Sequence, residues 1–259
     1  MHFIELRLSV NAVPSVVILG CRVHRVTMEQ ALAIAQQFLT HGGAHQIVTA
    51  DASALAIAQQ DRQLRDIINH ADLVVPDSRG VVWAARRVGC PVPERVPGVD
   101  LMERLCELAS QLGLGVYLHG AAPGVAQAAA ANLAKAYPAL NVVGTSHGYL
   151  SLDEESAVVE QIAQLRPAML FVALGIPRQE KWISTHQPRI QAPIAVGVGG
   201  SFDCFSGQVR RAPEWFQKHG LEWAYRLACN PRKARKVAML PGFVLKVIAR
   251  GQRQPLQGA

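Results

Sequence analysis

The stretch APIAVGVGGSFDCFSGQVRRAP, residues 192–213, decides the fold class of this chain. It predicts a buried β-strand over residues 192–198, followed by a turn at Gly199 and Gly200 and then by Asp203. An apolar strand that ends in a glycine turn and delivers a carboxylate is the usual way in which an α/β protein presents a polar group to a ligand. We therefore expect a ligand site at the carboxyl edge of a sheet.

Outward from this stretch, short apolar runs alternate with amphipathic segments of helical periodicity. This alternation predicts an α/β fold with a largely parallel sheet flanked by helices. The predicted strands cover residues 16–19, 46–49, 73–75, 115–119, 141–144, 169–174 and 194–198, and the predicted helices cover 27–39, 52–69, 80–88, 99–112, 124–137, 154–165 and 179–186.

Polar residues follow several of these strands directly. Thr49 and Asp51 end the second predicted strand, Asp77 follows the third, Gln179 follows the sixth, and Asp203 follows the last. The carboxyl ends of parallel strands meet at one edge of a sheet, so we expect these residues to converge. The turn at residues 119–124 also carries glycines, and sequence leaves open whether it cradles a diphosphate or is only a tight turn.

Charge is concentrated in the C-terminal part of the chain. Residues 214–259 hold nine Lys or Arg against two acidic residues, an excess that equals the formal net charge of +7 for the whole chain. An apolar run at 237–249 beside a basic cluster favours interfacial binding to an anionic membrane surface. A nucleic-acid patch is disfavoured, because only Phe243 interleaves with the basic residues and no known module is present. We predict an α/β domain at 1–213 and a basic helical, membrane-docking appendage at 214–259.

Cysteine usage and hydropathy indicate the compartment. The five cysteines show no CxxC pair and no His partner at metal-ligand spacing, which argues against a zinc site or a disulfide framework and fits a reducing cytoplasm. No run reaches the roughly 18 apolar residues of a spanning helix. A lipoprotein cleavage box at residues 18–21 is disfavoured, because polar residues interrupt the segment before it.

Eight motifs follow one another between residues 16 and 231. They are TAD at 49–51, PD at 76–77, GVVW at 80–83, Arg95 with Gly98 and DLM at 100–102, HGY at 147–149, GIPRQEKW at 175–182, the stretch 197–213, and GLEWAYRL at 220–227. In this order they resemble the motifs of the WecG/TagA/CpsF glycosyltransferases, also called glycosyltransferase family 26. So many matches in sequence are specific, although each alone would be weak.

The resemblance implies a Rossmann-like fold and an inverting glycosyltransferase. Such an enzyme moves an N-acetylmannosamine-type sugar from a UDP-sugar donor to a polyprenyl-diphosphate-linked amino sugar in teichoic acid or cell-surface polysaccharide synthesis. It also implies a peripheral location on the inner face of the cytoplasmic membrane, no cofactor and no metal. The sequence has no Asp-x-Asp triplet, which would have suggested a metal-bridged nucleotide sugar. A divergent UDP-binding protein without transferase activity is the alternative, and a homo-oligomer remains open.

The resemblance also assigns roles at the sheet edge. Asp77 matches the catalytic base, Thr49 and Asp51 would touch sugar or acceptor, Arg95 would meet a diphosphate, and Gln179 would bind the donor. Ordinary structural roles compete with each assignment. Asp77 could cap the helix that starts near residue 80, Thr49 and Asp51 could cap the helix after them, Arg95 could form a surface ion pair, and Gln179 could be merely solvated.

Two further groups of residues follow from the same resemblance. Tyr149 and Asp203 match positions that line a uridine site, with a half-buried core tyrosine and a turn carboxylate as the competing interpretations. Arg226, Lys233 and Lys236 recur at near-helical spacing and would reach a lipid diphosphate or anionic headgroups, unless they form only a solvated basic face.

The chain departs from the family pattern at two positions of the expected site. Asp51 stands where the family usually has Asn, and Ser78 stands where it usually has Gly. A second carboxylate near Asp77 would disfavour ionisation of both, and Ser78 excludes a backbone conformation that only glycine adopts cheaply. These two changes leave the exact sugar and acceptor open.

Overall fold

The structure of this chain, a computed structural model, describes residues 13–209, 213, 216 and 238–251. Its strands are β1 (Ser15–Ile18), β2 (Cys21–His24), β3 (His45–Ala50), β4 (Leu73–Pro76), β5 (Gly115–Gly120), β6 (Asn141–Ser146), β7 (Met169–Ala173) and β8 (Ile194–Gly197). The last six form one parallel sheet in the order β4-β3-β8-β7-β5-β6. The predicted α/β fold with a largely parallel sheet is confirmed.

Helices follow the strands in alternation. They are α1 (Met28–His41), α2 (Ala52–Ile57), α3 (Arg62–His70), α4 (Arg79–Arg87), α5 (Gly98–Leu112), α6 (Val125–Ala136), α7 (Leu152–Leu165), α8 (Arg178–Ile190), α9 (Ser201–Phe205) and α10 (Leu240–Gly251). Several begin at a capping side chain: Thr27 accepts from the backbone N–H of Gln30 at α1, and Ser151 accepts from that of Glu154 at α7. Both also form a reciprocal capping box, which satisfies two helix-terminal donors at once.

Both faces of the sheet are covered by helices, as a parallel sheet requires. On one face the strands pack against α1, α5, α6 and α9, with Phe171 and Leu101 at the centre of that core. On the other face α2, α3, α4 and α10 cover the β3–β4 side, whereas α7 and α8 cover the β5–β7 side. Burial of these apolar side chains, at about 25 cal/mol per Å² removed from water, holds the layers together.

The first predicted strand does not join the parallel sheet. The run at 16–19 falls in β1, which pairs with β2 as an antiparallel ribbon that the alternation did not predict. The ribbon lies beside β4, where His24 Nδ1 accepts a hydrogen bond of 2.9 Å from the backbone N–H of Val74. Burial holds the pKa of His24 at about 4, so its ring remains a neutral acceptor. The ribbon thus covers an edge strand whose N–H groups would otherwise be unpaired.

The predicted helix at 52–69 is interrupted. The structure has α2 and α3 there, joined by a turn at Asp61, whose Oδ1 accepts from the backbone N–H of Leu64 at 3.0 Å. Asp61 also pairs with Lys181 Nζ at 2.6 Å, which ties the start of α3 to α8. The cap and the ion pair explain why a segment with continuous helical periodicity bends at this point.

One described segment belongs to the predicted C-terminal appendage. Helix α10 packs on α2 and α4, and its Phe243 and Val247 are buried in the same core cluster as residues of both helices. Among the described residues, no helix combines the length and the hydrophobicity that crossing a membrane would take. The domain boundary at Pro213 and the membrane role of 214–259 remain predictions.

Candidate active site

Four of the six strand ends that line the carboxyl edge carry the predicted site residues. The strands β4, β3, β8 and β7 are consecutive neighbours in the sheet. Ala50 is in register with Pro76, so Asp51 and Asp77 follow neighbouring strand ends. Gly197 is in register with both Val48 and Val172, and therefore lies between β3 and β7. The expected convergence of these strand ends is thus present in the structure.

Asp77 lies where the start of α5 meets the end of β4. Its Oδ1 accepts a hydrogen bond of 2.9 Å from the backbone N–H of Gly98, the first residue of α5. The N-cap position of α5 is Pro97, which supplies no side-chain acceptor. The Asp77 carboxylate therefore satisfies a helix-terminal donor from outside the helix.

Arg95 is brought to the same place. Its Nε donates a hydrogen bond of 2.7 Å to the backbone carbonyl of Asp77, which fixes the guanidinium beside the carboxylate-bearing residue. The interpretation of Asp77 as the cap of α4 is wrong, because Ser78 Oγ accepts from the backbone N–H of Val81 and holds that position. A carboxylate and a guanidinium at one strand end can accept a proton and stabilise a diphosphate, respectively.

Thr49 lies next to the same helix start. Its hydroxyl is buried and donates a hydrogen bond of 2.7 Å to the carbonyl of Gly197, so it links β3 to β8 and does not cap α2. A Cβ on Gly98 would lie 3.2 Å from Thr49 Cγ2, which shows how closely α5 approaches β3. Thr49 therefore lies beside the first residue of α5, to which Asp77 is hydrogen-bonded.

The two residues that depart from the family pattern are helix caps. Asp51 Oδ1 accepts from the backbone N–H of Ala54 at 2.7 Å, so the capping interpretation is confirmed for Asp51. Ser78 has φ −115°, an extended conformation that needs no glycine. Its hydroxyl also accepts from the backbone N–H of Ala52 at 3.1 Å, which joins the start of α2 to the start of α4. These loops are thereby held together directly beside Asp77.

Gln179 is enclosed rather than solvated, with 1% of its surface exposed. Its Oε1 accepts from the backbone N–H of Gly175 at 3.1 Å and from that of Gly199 at 2.9 Å, and its Nε2 donates to Glu180 Oε1 at 2.8 Å. One amide thus connects the loops after β7 and β8. Its predicted role in donor binding stays a prediction, and these contacts show how it shapes the edge.

The two predicted uridine residues follow different strands, Tyr149 after the edge strand β6 and Asp203 after the central strand β8. Tyr149 is 72% exposed in the loop between β6 and α7, so the interpretation as a core tyrosine is wrong. Asp203 lies in the short helix α9, so the competing interpretation as a turn carboxylate is wrong. Its backbone carbonyl accepts from the N–H of Val209 and from Ser206 Oγ, which ties the end of α9 to the residues after it. Arg226, Lys233 and Lys236 lie outside the described residues.

The glycine turn after β5 has a packing explanation. A Cβ on Gly120 would lie 2.6 Å from the backbone carbon and oxygen of Ala173, so only glycine fits where β5 ends against β7. Gly124 precedes α6 with φ +84°, which glycine adopts without strain. The tight-turn interpretation accounts for both glycines.

Sequence reasoning missed His119, which precedes the last residue of β5, the neighbour of β7 in the sheet. It is buried, its Nδ1 lies 2.8 Å from Ser146 Oγ, and its ring centroid lies 4.5 Å from that of Trp182. Burial first, and then the nearby cationic groups of His186, His147 and Arg178, lower the pKa of His119 to about 4. The signal was a histidine inside an apolar strand run, a position where histidine is uncommon.

Replacement of His119 by Leu should flatten the pH dependence of stability. Above pH 6.5 this histidine is neutral in both states and contributes no slope. Below pH 6.5 the unfolded chain takes up a proton that the folded chain refuses until about pH 4, so the free energy of unfolding falls as the pH falls. One such group contributes about 1.4 kcal/mol per pH unit, or about 2 kcal/mol between pH 6.5 and 5.

Urea unfolding at several pH values measures this effect. The lost hydrogen bond to Ser146 shifts the whole curve of the variant, so the slope and not the absolute stability is compared. Equal slopes for wild type and His119→Leu would show that His119 titrates alike in both states.

The chain is similar in sequence to known proteins over most of its length. The sequence model of the family described as "Glycosyl transferase WecG/TagA/CpsF family" matches residues 16–257. A protein of Bacillus spizizenii is 37% identical over 202 residues, 78% of each chain, and one of Staphylococcus aureus is 34% identical over 239 residues, 92% of this chain and 93% of its own. A Bacillus subtilis protein is 34% identical over 202 residues. All three are named N-acetylglucosaminyldiphosphoundecaprenol N-acetyl-beta-D-mannosaminyltransferase.

The six-stranded parallel sheet with helices on both faces defines an α/β protein of the Rossmann-like class. The chain belongs to the WecG/TagA/CpsF family of glycosyltransferases. The resemblance in the sequence motifs and the prediction of a sugar-transferring enzyme are confirmed.

Proposed function

We propose that this chain transfers N-acetylmannosamine from a UDP-sugar donor to N-acetylglucosaminyl diphosphoundecaprenol in the synthesis of a cell-surface polymer. The observation that carries the proposal is the named activity of relatives that share 34–37% identity with this chain. The position of Asp77 beside Arg95 supports it, since glycosyl transfer needs a base and a cation for the leaving diphosphate.

The proposed reaction is a single displacement. The acceptor hydroxyl oxygen attacks the anomeric carbon on the face opposite UDP, the bond from that carbon to the diphosphate oxygen breaks, and the configuration inverts. Asp77 takes the hydroxyl proton as the new bond forms. Arg95 would meet the charge that develops on the departing diphosphate. Tyr149 and Asp203 would hold the uridine, Thr49 and Asp51 the sugar or acceptor, and Gln179 the donor.

A transfer assay with the purified full chain tests the proposal. UDP-N-acetylmannosamine and N-acetylglucosaminyl diphosphate on a lipid should give UDP and a disaccharide lipid, and UDP-N-acetylglucosamine should serve as a poor donor. EDTA should leave the rate unchanged if the reaction is independent of metal. Calorimetric binding of UDP without any transfer would instead favour a divergent UDP-binding protein.

We also propose that the enzyme works as a peripheral protein on the inner face of the cytoplasmic membrane. The support is the outer surface of α10, where Val244, Leu245 and Ile248 are exposed in a helix that also carries Lys246. An exposed apolar surface with adjacent cations suits the boundary between headgroups and acyl chains. The +7 excess of residues 214–259 supports attraction to anionic lipid.

Replacement of Leu245 by Ser should weaken binding to anionic vesicles about tenfold. Leu245 is 68% exposed, so insertion of its side chain would bury apolar area that the folded protein leaves in water. Vesicle sedimentation at constant ionic strength measures the change. Leu152→Ser is the matched control, because Leu152 is 84% exposed in α7, which covers the β5–β7 side of the sheet and not the β3–β4 side where α10 packs. Equal losses in both variants would contradict a specific role of α10.

A further inference from the structure

A cavity of about 640 Å³ lies between α2, the turn before α3, the first turn of α8, and α10. Its walls combine apolar and charged groups. The lining residues are Ala56, Ile57, Gln60, Asp61, Arg62, Lys181, Met239, Gly242, Phe243 and Lys246. None of these residues takes part in the sugar transfer proposed above, and only Lys246 also belongs to the proposed membrane contact of α10.

The charged groups of the lining make it positive. Arg62, Lys181 and Lys246 bring three cations against the single carboxylate of Asp61. A hydrogen bond from Lys181 and a second from the Leu64 N–H hold the pKa of Asp61 below its ordinary value, so Asp61 stays ionised and pairs with Lys181. Arg62 Nε lies 3.7 Å from Asp66 Oδ2 in an exposed ion pair, so the excess positive charge of the cavity comes mainly from Lys246. A rim with excess positive charge beside an apolar wall fits an anionic amphiphile.

The apolar wall comes from two helices. Ala56 and Ile57 contribute it from α2, and Met239 and Phe243 contribute it from α10. Phe243 itself is fixed, since its ring is buried against the core of the α/β domain. The wall is therefore a built feature of the packing of α10 and not a loose surface groove.

The cavity is lined by residues of α2 and α8, two helices that start at the carboxyl edge of the sheet. Ile57 comes six residues after Asp51, which corresponds to about 9 Å along α2. Lys181 comes two residues after Gln179, in the first turn of α8. In an acceptor of the proposed kind, a sugar ring and two phosphates separate the reacting hydroxyl from the first lipid carbon. The lipid is therefore held away from Asp77, and this cavity begins about one helix length from the loop that carries Asp51.

We infer that the cavity seats the first isoprenyl units of a polyprenyl diphosphate, with Lys181, Lys246 and Arg62 facing its phosphate end. The inference rests on the proposed function for the identity of the lipid. The walls of α2 and α10 contact the prenyl chain, and the remainder of the chain continues into the bilayer. A prenyl diphosphate is recognised here by charge at one end and by apolar contact at the other.

Gly242 offers a way to fill the cavity without disturbing the fold. A Cβ at this position would meet no heavy atom within 4 Å, and the backbone is outside the left-handed region that favours glycine. Gly242→Trp should therefore place an indole in the cavity. Gly242→Ala is the matched control, because it also removes the helix-weakening glycine but leaves the volume open.

The experiment compares two acceptors with the full chain in detergent. One carries the undecaprenyl chain and the other a short alkyl chain that would not reach the cavity. Gly242→Trp should raise the KM for the undecaprenyl acceptor about tenfold and leave the KM for the short acceptor and for UDP-N-acetylmannosamine within twofold. Gly242→Ala should match wild type. An unchanged KM for the undecaprenyl acceptor in Gly242→Trp would overturn the inference.

A binding measurement separates this inference from the proposed function and from bilayer lipid. Wild type should bind geranylgeranyl diphosphate in calorimetry, and Gly242→Trp should lose that binding about tenfold, even if no acceptor is glycosylated. Absence of transfer by wild type would refute the proposed function alone. If Gly242→Trp instead lost binding to phosphatidylglycerol vesicles and still bound geranylgeranyl diphosphate, the cavity would belong to membrane phospholipid. That result would overturn the inference.

Discussion

Replacement of Asp77 by Asn should lower kcat by about 10²- to 10⁴-fold, with little change in KM for the donor. The amide oxygen of Asn can still accept the hydrogen bond from the Gly98 N–H, so the start of α5 keeps its partner. What the amide cannot do is take a proton from the acceptor hydroxyl. The rate of UDP release, with donor and lipid acceptor both saturating, measures the loss.

A second aspartate provides the control for this variant. Asp72 immediately precedes β4 as Asp77 immediately follows it, and its Oδ2 accepts from the backbone N–H of Gln46 at 2.9 Å. Asp72→Asn makes the same chemical change at the opposite edge of the sheet, and we expect it to keep kcat within a few-fold of wild type. Activity of Asp77→Asn within tenfold of wild type would remove Asp77 from the role of base.

The arrangement of the site could be predicted in outline, because strand ends in a parallel sheet meet at one edge regardless of detail. The apolar runs before Asp51, Asp77 and Gln179 were sufficient for that inference. The local partners were not predictable from pattern. Ser78 and Asp77 are both good caps, and only the three-dimensional path of the chain decides that Ser78 caps α4 whereas Asp77 accepts from the more distant Gly98.

Other misses have the same physical origin. The ribbon strand β2 contains Arg22 and His24, which do not resemble a strand until the buried edge of β4 supplies partners for them. The break between α2 and α3 depends on Asp61 meeting Lys181, more than 100 residues away in sequence. For His119 the sequence offered only its place in an apolar strand run, since its neutral state follows from burial against Trp182 of α8. Tertiary contacts override local propensity in each case.

Replacement of Phe243 by Ala should destabilise the protein by about 3–5 kcal/mol, the usual cost of deleting a buried aromatic side chain. Phe243 is 1% exposed, and its Cε1 lies 3.9 Å from the position of a Cβ on Gly80, the second residue of α4. The thermal midpoint should fall on the order of 10 °C. Leu245→Ala on the outer surface of the same helix is the control and should stay within about 0.5 kcal/mol of wild type.

The two variants Phe243→Ala and Leu245→Ala also show how α10 contributes to activity. Helices α2 and α4 begin at Asp51 and Ser78, so loss of the α10 contact should loosen the loops beside Asp77 and lower kcat as well as stability. Deletion of everything after Pro213 cannot separate that effect from lost membrane binding, whereas the two point variants can. Equal stability of Phe243→Ala and Leu245→Ala would show that α10 does not brace the α/β domain. A stability loss confined to Phe243→Ala, with vesicle binding weakened only by changes at Leu245, would assign the two surfaces of one helix to different tasks.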